Sequence, residues 1–277
     1  MVSYNPKNWF QLIFHAYSAQ VFKRLFPSML GIGIFTTGVC WFEFEWLETP
    51  VNMPNTVHSM LGFVLSLFLV FRTNTAYDRW WEGRKQWGAL VNVSRTLAQR
   101  ARLVPDREGR NAFLQGIPGF AHSLKHHLRR ESSTMPDVPT HWDHAPNAWV
   151  AKLADQAVSW KKRGKITDHE HWLFEGNLER MTDILGACER ILKTPIPYSY
   201  SMFMKKFIFL YVITLPFGFV GTFSWWTIPV VMGVFYVLVS IELIAEEIED
   251  PFGEDENDLP LNGLCETIQT NTEEILS

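Results

Sequence analysis

The stretch Phe63–Gly88, "FVLSLFLVFRTNTAYDRWWEGRKQWG", decides the fold. Up to Phe71 it is apolar except for Ser66. From Arg72 onward it is studded with charge: Asp78, Arg79, Glu82, Arg84 and Lys85. The first half offers water no polar face. The second half sets apolar residues at three- and four-residue spacing among charges, as an amphipathic helix does. An apolar run of this kind suits lipid if it is helical, because only then are its backbone groups satisfied within the segment. The junction at Arg72 therefore reads as the place where a membrane helix leaves the bilayer.

Working outward, four segments are expected to span. They cover about residues 27–47, 53–71, 207–226 and 227–245. Each approaches the roughly 17–25 apolar residues that a crossing helix needs. The charge pattern agrees. Of the 25 lysines and arginines, all but Lys7, Lys23 and Arg24 lie between Arg72 and Lys206, and none follows Lys206. By the positive-inside rule, both termini and the long middle are cytoplasmic and the two short links are outside. Trp41, Trp46, Trp225 and Trp226 fall where an outer aromatic belt would lie. With 47% hydrophobic and 14% aromatic residues, the composition also leans toward a membrane.

The middle, about 72–206, reads as four helices: the one beginning at Tyr77, one over Asn111–Arg130 interrupted near Gly116–Gly119, one over Asn147–Gly164 and one over Phe174–Thr194. The run "ESSTMPDVPTHWDHAP" is a Pro-punctuated loop. The fold class is therefore all-α: an integral membrane chain of four transmembrane helices with a helical cytoplasmic body. A single domain over 1–277 is expected, closing on an acidic segment at 246–277.

Several function classes are excluded. No glycine-rich phosphate loop and no nucleophile elbow occurs. The basic residues are explained by topology, so no nucleic-acid partner is expected. Cys40, Cys188 and Cys265 form no C-x-x-C and indicate neither a disulfide framework nor a zinc ribbon. The start "MVSYNPKNWFQLIF" does not look like a cleaved signal peptide. Histidines on "HSLKHH" (His122, His126, His127) and "HWDH" (His141, His144) have metal-ligand spacing, against the plainer reading of polar surface. They keep a membrane-anchored metal or haem enzyme open as a competing function, beside a membrane sensor or scaffold.

The second span carries one more pattern. Phe63, Leu67 and Phe71 recur at i, i+4 and i+8 and share a helix face. Alone, such a stripe is ordinary packing. Repeated around a symmetry axis, it would form a hydrophobic constriction. Downstream, Pro251 and Gly253 in "EDPFGEDENDLPLN" end the helix before them.

Three blocks resemble the bestrophin family of ion channels, in the family's order: Phe63–Gly88 with Arg79, Trp80 and Trp81; "TPIPYSY"; and "AEEIEDPFGEDENDLPLN". The "DLPLN" ending is similar to the family's bacterial-type branch. The resemblance implies a channel rather than an enzyme, a homopentamer with one central pore, in the bacterial inner membrane. It implies a neck of Phe63, Leu67 and Phe71 and a cytoplasmic aperture at Ile196. It implies no required cofactor, with calcium as an optional ligand held by the side chains of Asp255 and Asp258 and the carbonyls of Glu247 and Asp250. The partners it implies are further copies of the chain, the bilayer and permeant monovalent ions. Chloride is the family-level ion and sodium the competing one for the bacterial type. Glu43, Glu45 and Glu48, at the outer end of the first span, would favour cations if they face the pore.

Overall fold

The computed structural model describes residues 16–47, 55–131 and 143–277, side chains of 16–20 and 55 excepted. Glu48, Met53 and His141 lie outside the described residues. Eight α-helices are described: α1 (Ala16–Trp41), α2 (Asn55–Leu103), α3 (Arg107–Leu128), α4 (Ala145–Lys162), α5 (Asp168–Lys193), α6 (Tyr198–Phe223), α7 (Thr227–Glu249) and α8 (Leu261–Leu276). A π-helical turn, Phe42–Trp46, follows α1, and a 3₁₀ turn, Ser224–Trp226, joins α6 to α7. There is no strand among the described residues.

The chain divides into two compact units. One holds the described residues up to Asp78 together with Ile196–Glu249; the other holds Arg79–Pro195 and Asp250–Ser277. The first, apolar unit contains three stretches long and apolar enough to cross a membrane when each is followed along its helix: Val21–Trp46, Thr56–Leu103 (whose charged end belongs to the second unit) and Tyr198–Glu249. The third comprises α6 and α7, which Ser224 separates with its positive φ of 51°. Leu65 and Leu69 of α2 pack on Met204, Ile208, Val212 and Leu215 of α6, with Val231 of α7 closing the cluster. Val21, Leu25 and Met29 lay α1 along Met232, Phe235 and Val239 of α7. Hydroxyls here are satisfied inside their own helices: Thr36 and Thr37 donate to Ile32 O and Gly33 O, each at 2.8 Å.

The second unit is built as a water-soluble helical domain is. Trp87, Leu90 and Leu97 of α2 meet Phe113, Ile117 and Phe120 of α3, Leu153 and Trp160 of α4, and Met181 of α5 in one buried core. Phe113 stacks on Trp160 with centroids 5.0 Å apart. Asp106 caps α3 by accepting from Gly109 N at 3.2 Å, and its other oxygen accepts from Trp160 Nε1 at 2.8 Å. These bonds hold the Asp106 carboxyl below its usual range, the Gly109 amide first and the Trp160 indole second.

Three sequence expectations change here. The second span and the helix expected from Tyr77 are not separate helices: α2 runs through Arg72 as one helix of 49 residues. Nothing at the junction breaks a helix, because leaving an apolar environment changes side-chain polarity and not backbone geometry. Nor is α3 interrupted at Gly116–Gly119. A Cβ on Gly119 would come within 2.6 Å of the Trp149 ring, and one on Gly116 within 2.7 Å of Leu153. The glycines are there to let α3 approach α4, and the helix passes through Pro118 unbroken. α5 also begins earlier than Phe174, because Thr167 and Glu170 close a capping box that starts it at Asp168.

Candidate functional site

The neck candidates share one open face of α2. Phe63, Leu67 and Phe71 are 72%, 46% and 55% exposed, while Leu65, Leu69 and Arg72 on the other side are buried. The helical repeat explains the split. Residues four apart stay on one side, and the opposite side is taken by α6. Bulky apolar side chains without cover in the protomer need lipid or another protein surface.

His58, one of the polar groups of this span, is buried, with its ring 6.3 Å from Tyr211. Ser66 bonds back to Gly62 O at 2.8 Å, so it is satisfied without a partner helix.

Ile196, the residue expected at a cytoplasmic aperture, is 8% exposed within the single chain, packed with Ala76, Ala245, Tyr200 and Ile248. Its backbone N–H donates to Glu249 Oε1 at 2.8 Å. The same carboxylate takes Arg72 Nη2 at 2.7 Å through Oε2, and Arg72 Nε lies 3.5 Å from Glu242 Oε1. One buried arginine thus joins α2 to α7 and, through Glu249, to the segment entering α6. Sequence reading missed this ion trio. Its signal was present as Glu242, the first acid after the apolar run Thr227–Ile241, and Glu249 seven residues on, together with Arg72, the first arginine after another apolar run.

The signature residues Arg79 and Trp80 are structural in the second unit. The Arg79 guanidinium donates to Ile191 O and Thr194 O, carbonyls at the end of α5. Trp80 Nε1 donates to Asn257 O at 2.9 Å, inside the acidic turn. Arg129, the C-cap residue of α3, holds the turn from another side, donating to Phe252 O at 3.3 Å and to Glu254 Oε1 at 2.9 Å. Phe252 and Leu259 are buried as the turn's anchors.

Calcium finds no gathered side chains there. Asp258 is buried, and its Oδ2 accepts from Asp255 N at 2.7 Å, while the Asp255 side chain is exposed. A Cβ on Gly253 would meet that same Oδ2 at 2.7 Å, so glycine leaves the room that the carboxylate needs. Calcium takes six to eight converging oxygens. Among the described residues these aspartates belong to no group of three ligand side chains within 4.8 Å of one another, so a calcium ion here would also need the carbonyls of Glu247 and Asp250. In this chain the Asp258 carboxylate serves the backbone of its own turn.

Glu43, expected to contribute to a negative outer vestibule, is 1% exposed, while Glu45 is exposed. The three histidines of "HSLKHH" are not brought together as one site. His126 pairs with Glu131, and His122 is engaged with Gln269. His127 instead meets His144 and Glu189, a residue that sequence reading did not single out. All three cysteines are buried free thiols, and burial pushes Cys188 up to about 12, so it is inert at neutral pH.

Comparison with known proteins agrees with this architecture. The family model described as bacterial and fungal bestrophin protein matches residues 1–274. A voltage-dependent anion channel-forming protein of Nostoc is 36% identical over 98% of this chain and 92% of its own length. One from Synechocystis is 33% identical over 99% and 94%. The crystal structure of a bacterial bestrophin homolog from Klebsiella pneumoniae superposes with a TM-score of 0.82 at 28% identity, covering 90% of this chain and 97% of that one.

Proposed function

Because the chain belongs to the bacterial and fungal bestrophin family, we propose that it is an ion channel, not an enzyme, passing small monovalent anions through a pore built from several copies. The observation that carries this reading is the uncovered apolar face of Phe63, Leu67 and Phe71 on a helix whose other face is packed. In a homopentamer around one axis, five such faces would form an apolar neck that excludes water when closed. The relatives' names favour anions such as chloride. Burial of Glu43 removes one of the acids on which a sodium-conducting reading would draw.

In this proposal α1, the first part of α2, α6 and α7 are the four spans, in the bacterial inner membrane. Both termini and the second unit are cytoplasmic, on the side where the basic residues concentrate. Trp46 and Trp226, both strongly exposed, would sit at the outer interface.

Purified protein in planar bilayers tests the proposal. Leu67→Ala should widen and hydrate the neck and raise the current, with reversal in asymmetric NaCl moving toward the chloride equilibrium potential. A current unchanged by Leu67→Ala would mean that this face meets lipid. Reversal toward the sodium potential would overturn the anion assignment.

A further inference from the structure

The second unit contains a side-chain cluster that the proposed pore does not use. His127 in the last turn of α3, His144 at the N-cap of α4 and Glu189 near the end of α5 converge from three helices. His127 Nε2 and His144 Nε2 each lie 2.8 Å from the same oxygen, Glu189 Oε1. The imidazole centroids are 4.5 Å apart with the rings inclined at 61°. The other carboxylate oxygen, Oε2, is occupied by Lys193 Nζ at 3.1 Å.

We propose that His127, His144 and Glu189 form a binding site for one divalent transition-metal ion of the zinc class. Two imidazole nitrogens and one carboxylate oxygen are a ligand set that zinc takes, with water in the remaining position. Tetrahedral coordination with bonds of about 2.0–2.1 Å separates ligand atoms by roughly 3.3 Å. The two present N···O spacings need to open by only about 0.5 Å to reach it. Both histidines and the glutamate are partly exposed at the side chain, so an ion can enter and keep a water ligand. The mixed nitrogen and oxygen donors disfavour calcium and magnesium, which prefer oxygen alone.

Charge and proton placement are consistent with this occupant. Imidazole binds a metal only when neutral. Burial first, and the neighbouring His144 second, hold His127 below its usual range. Lys193 fixes the carboxylate by one oxygen and leaves Oε1 facing the histidines, the orienting role that an outer partner plays at metal sites. His144 Nδ1 accepts from Asn147 N at 3.4 Å, so without metal its proton sits on Nε2 and points at Glu189. Binding at Nε2 moves that proton to Nδ1 and gives up this long cap contact. The metal takes the place of the two shared protons, and ties the end of α3 and the start of α4 to α5.

The test uses the tag-free full chain in detergent at pH 7.5, stripped with EDTA and titrated with ZnCl2. Bound zinc is read by elemental analysis and isothermal titration, and stability by thermal melting. The parent should bind one zinc per chain and melt higher with zinc, and calcium should do neither. His127→Gln and His144→Asn should lose that binding at zinc levels that half-saturate the parent. Asn at the N-cap keeps a good capping group, so H144N separates loss of the ligand from loss of the fold. His126→Gln should leave binding intact. No stoichiometric zinc in the parent, or binding that follows His126→Gln and ignores H144N, would overturn the site and leave a hydrogen-bonded staple only.

Discussion

The two halves of α2 obey opposite rules on one continuous helix. Beyond Trp87 its apolar residues are buried, Ala89 and the terminal Leu103 excepted, and the rest of its exposed face is charged and polar, as water demands. Before Phe71 apolar side chains are buried on one face and equally apolar ones are exposed on the other. The backbone is helical throughout, so secondary structure does not distinguish the halves. What differs is the medium each outer face expects. The charged half is complete in the protomer, and the apolar half is completed only by lipid or by further copies.

Arg72, at the junction, gives the largest expected effect. Arg72→Ala leaves Glu242 and Glu249 without their buried countercharge and should cost about 3–5 kcal/mol. Thermal melting in detergent would show it, with Arg72→Lys falling between. A melting point unchanged by Arg72→Ala would mean that water reaches these carboxylates and that the junction is not buried as described.

The next pair bears directly on the comparison. Leu97→Ala, in the buried core of the aqueous half, should cost about 2–5 kcal/mol through transfer and cavity terms. Leu67→Ala, exposed in the apolar half, should cost much less in detergent and show itself in the current instead. Equal losses of stability would break the distinction between a packed core and an open face.

A smaller effect tests the acidic turn that Trp80 grips. Asp258→Ala removes the acceptor for Asp255 N and should cost about 1–3 kcal/mol, with no change in melting temperature on adding calcium before or after the substitution. A calcium-dependent rise in the parent that Asp258→Ala abolishes would restore the aspartates as ligands.

The smallest effect is in pH. Burial acting alone would raise the Glu189 pKa, but hydrogen bonds from His144, Lys193 and His127 outweigh it and hold the carboxyl at about 2. A depressed folded-state pKa gives stability that is present above the unfolded value, about 4.3, and is lost as pH falls toward 2. The lowered pKa of His127 has the same sign and starts the loss below about 6.5. Melting temperature should therefore fall through this acid range, and Glu189→Gln should flatten the part below about pH 4.5. An acid limb identical in parent and variant would remove Glu189 from the linkage.

Composition and charge order alone were enough for an all-helical membrane chain, because apolar length and the placement of lysine and arginine are one-dimensional properties that lipid reads directly. The stripe at Phe63, Leu67 and Phe71 was legible for the same reason, since helical period converts spacing into a face. What tertiary structure decided depends on which faces meet. It packed Ile196 and Glu43 against their own chain, burial that position along the chain does not show. It turned Asp258 inward onto its own turn. It set Glu189 between two histidines 45 and 62 residues before it. It paired Arg72 with glutamates on α7, since a charge in an apolar segment must find a partner wherever packing brings one. Spacing along a chain fixes faces, and only packing fixes neighbours.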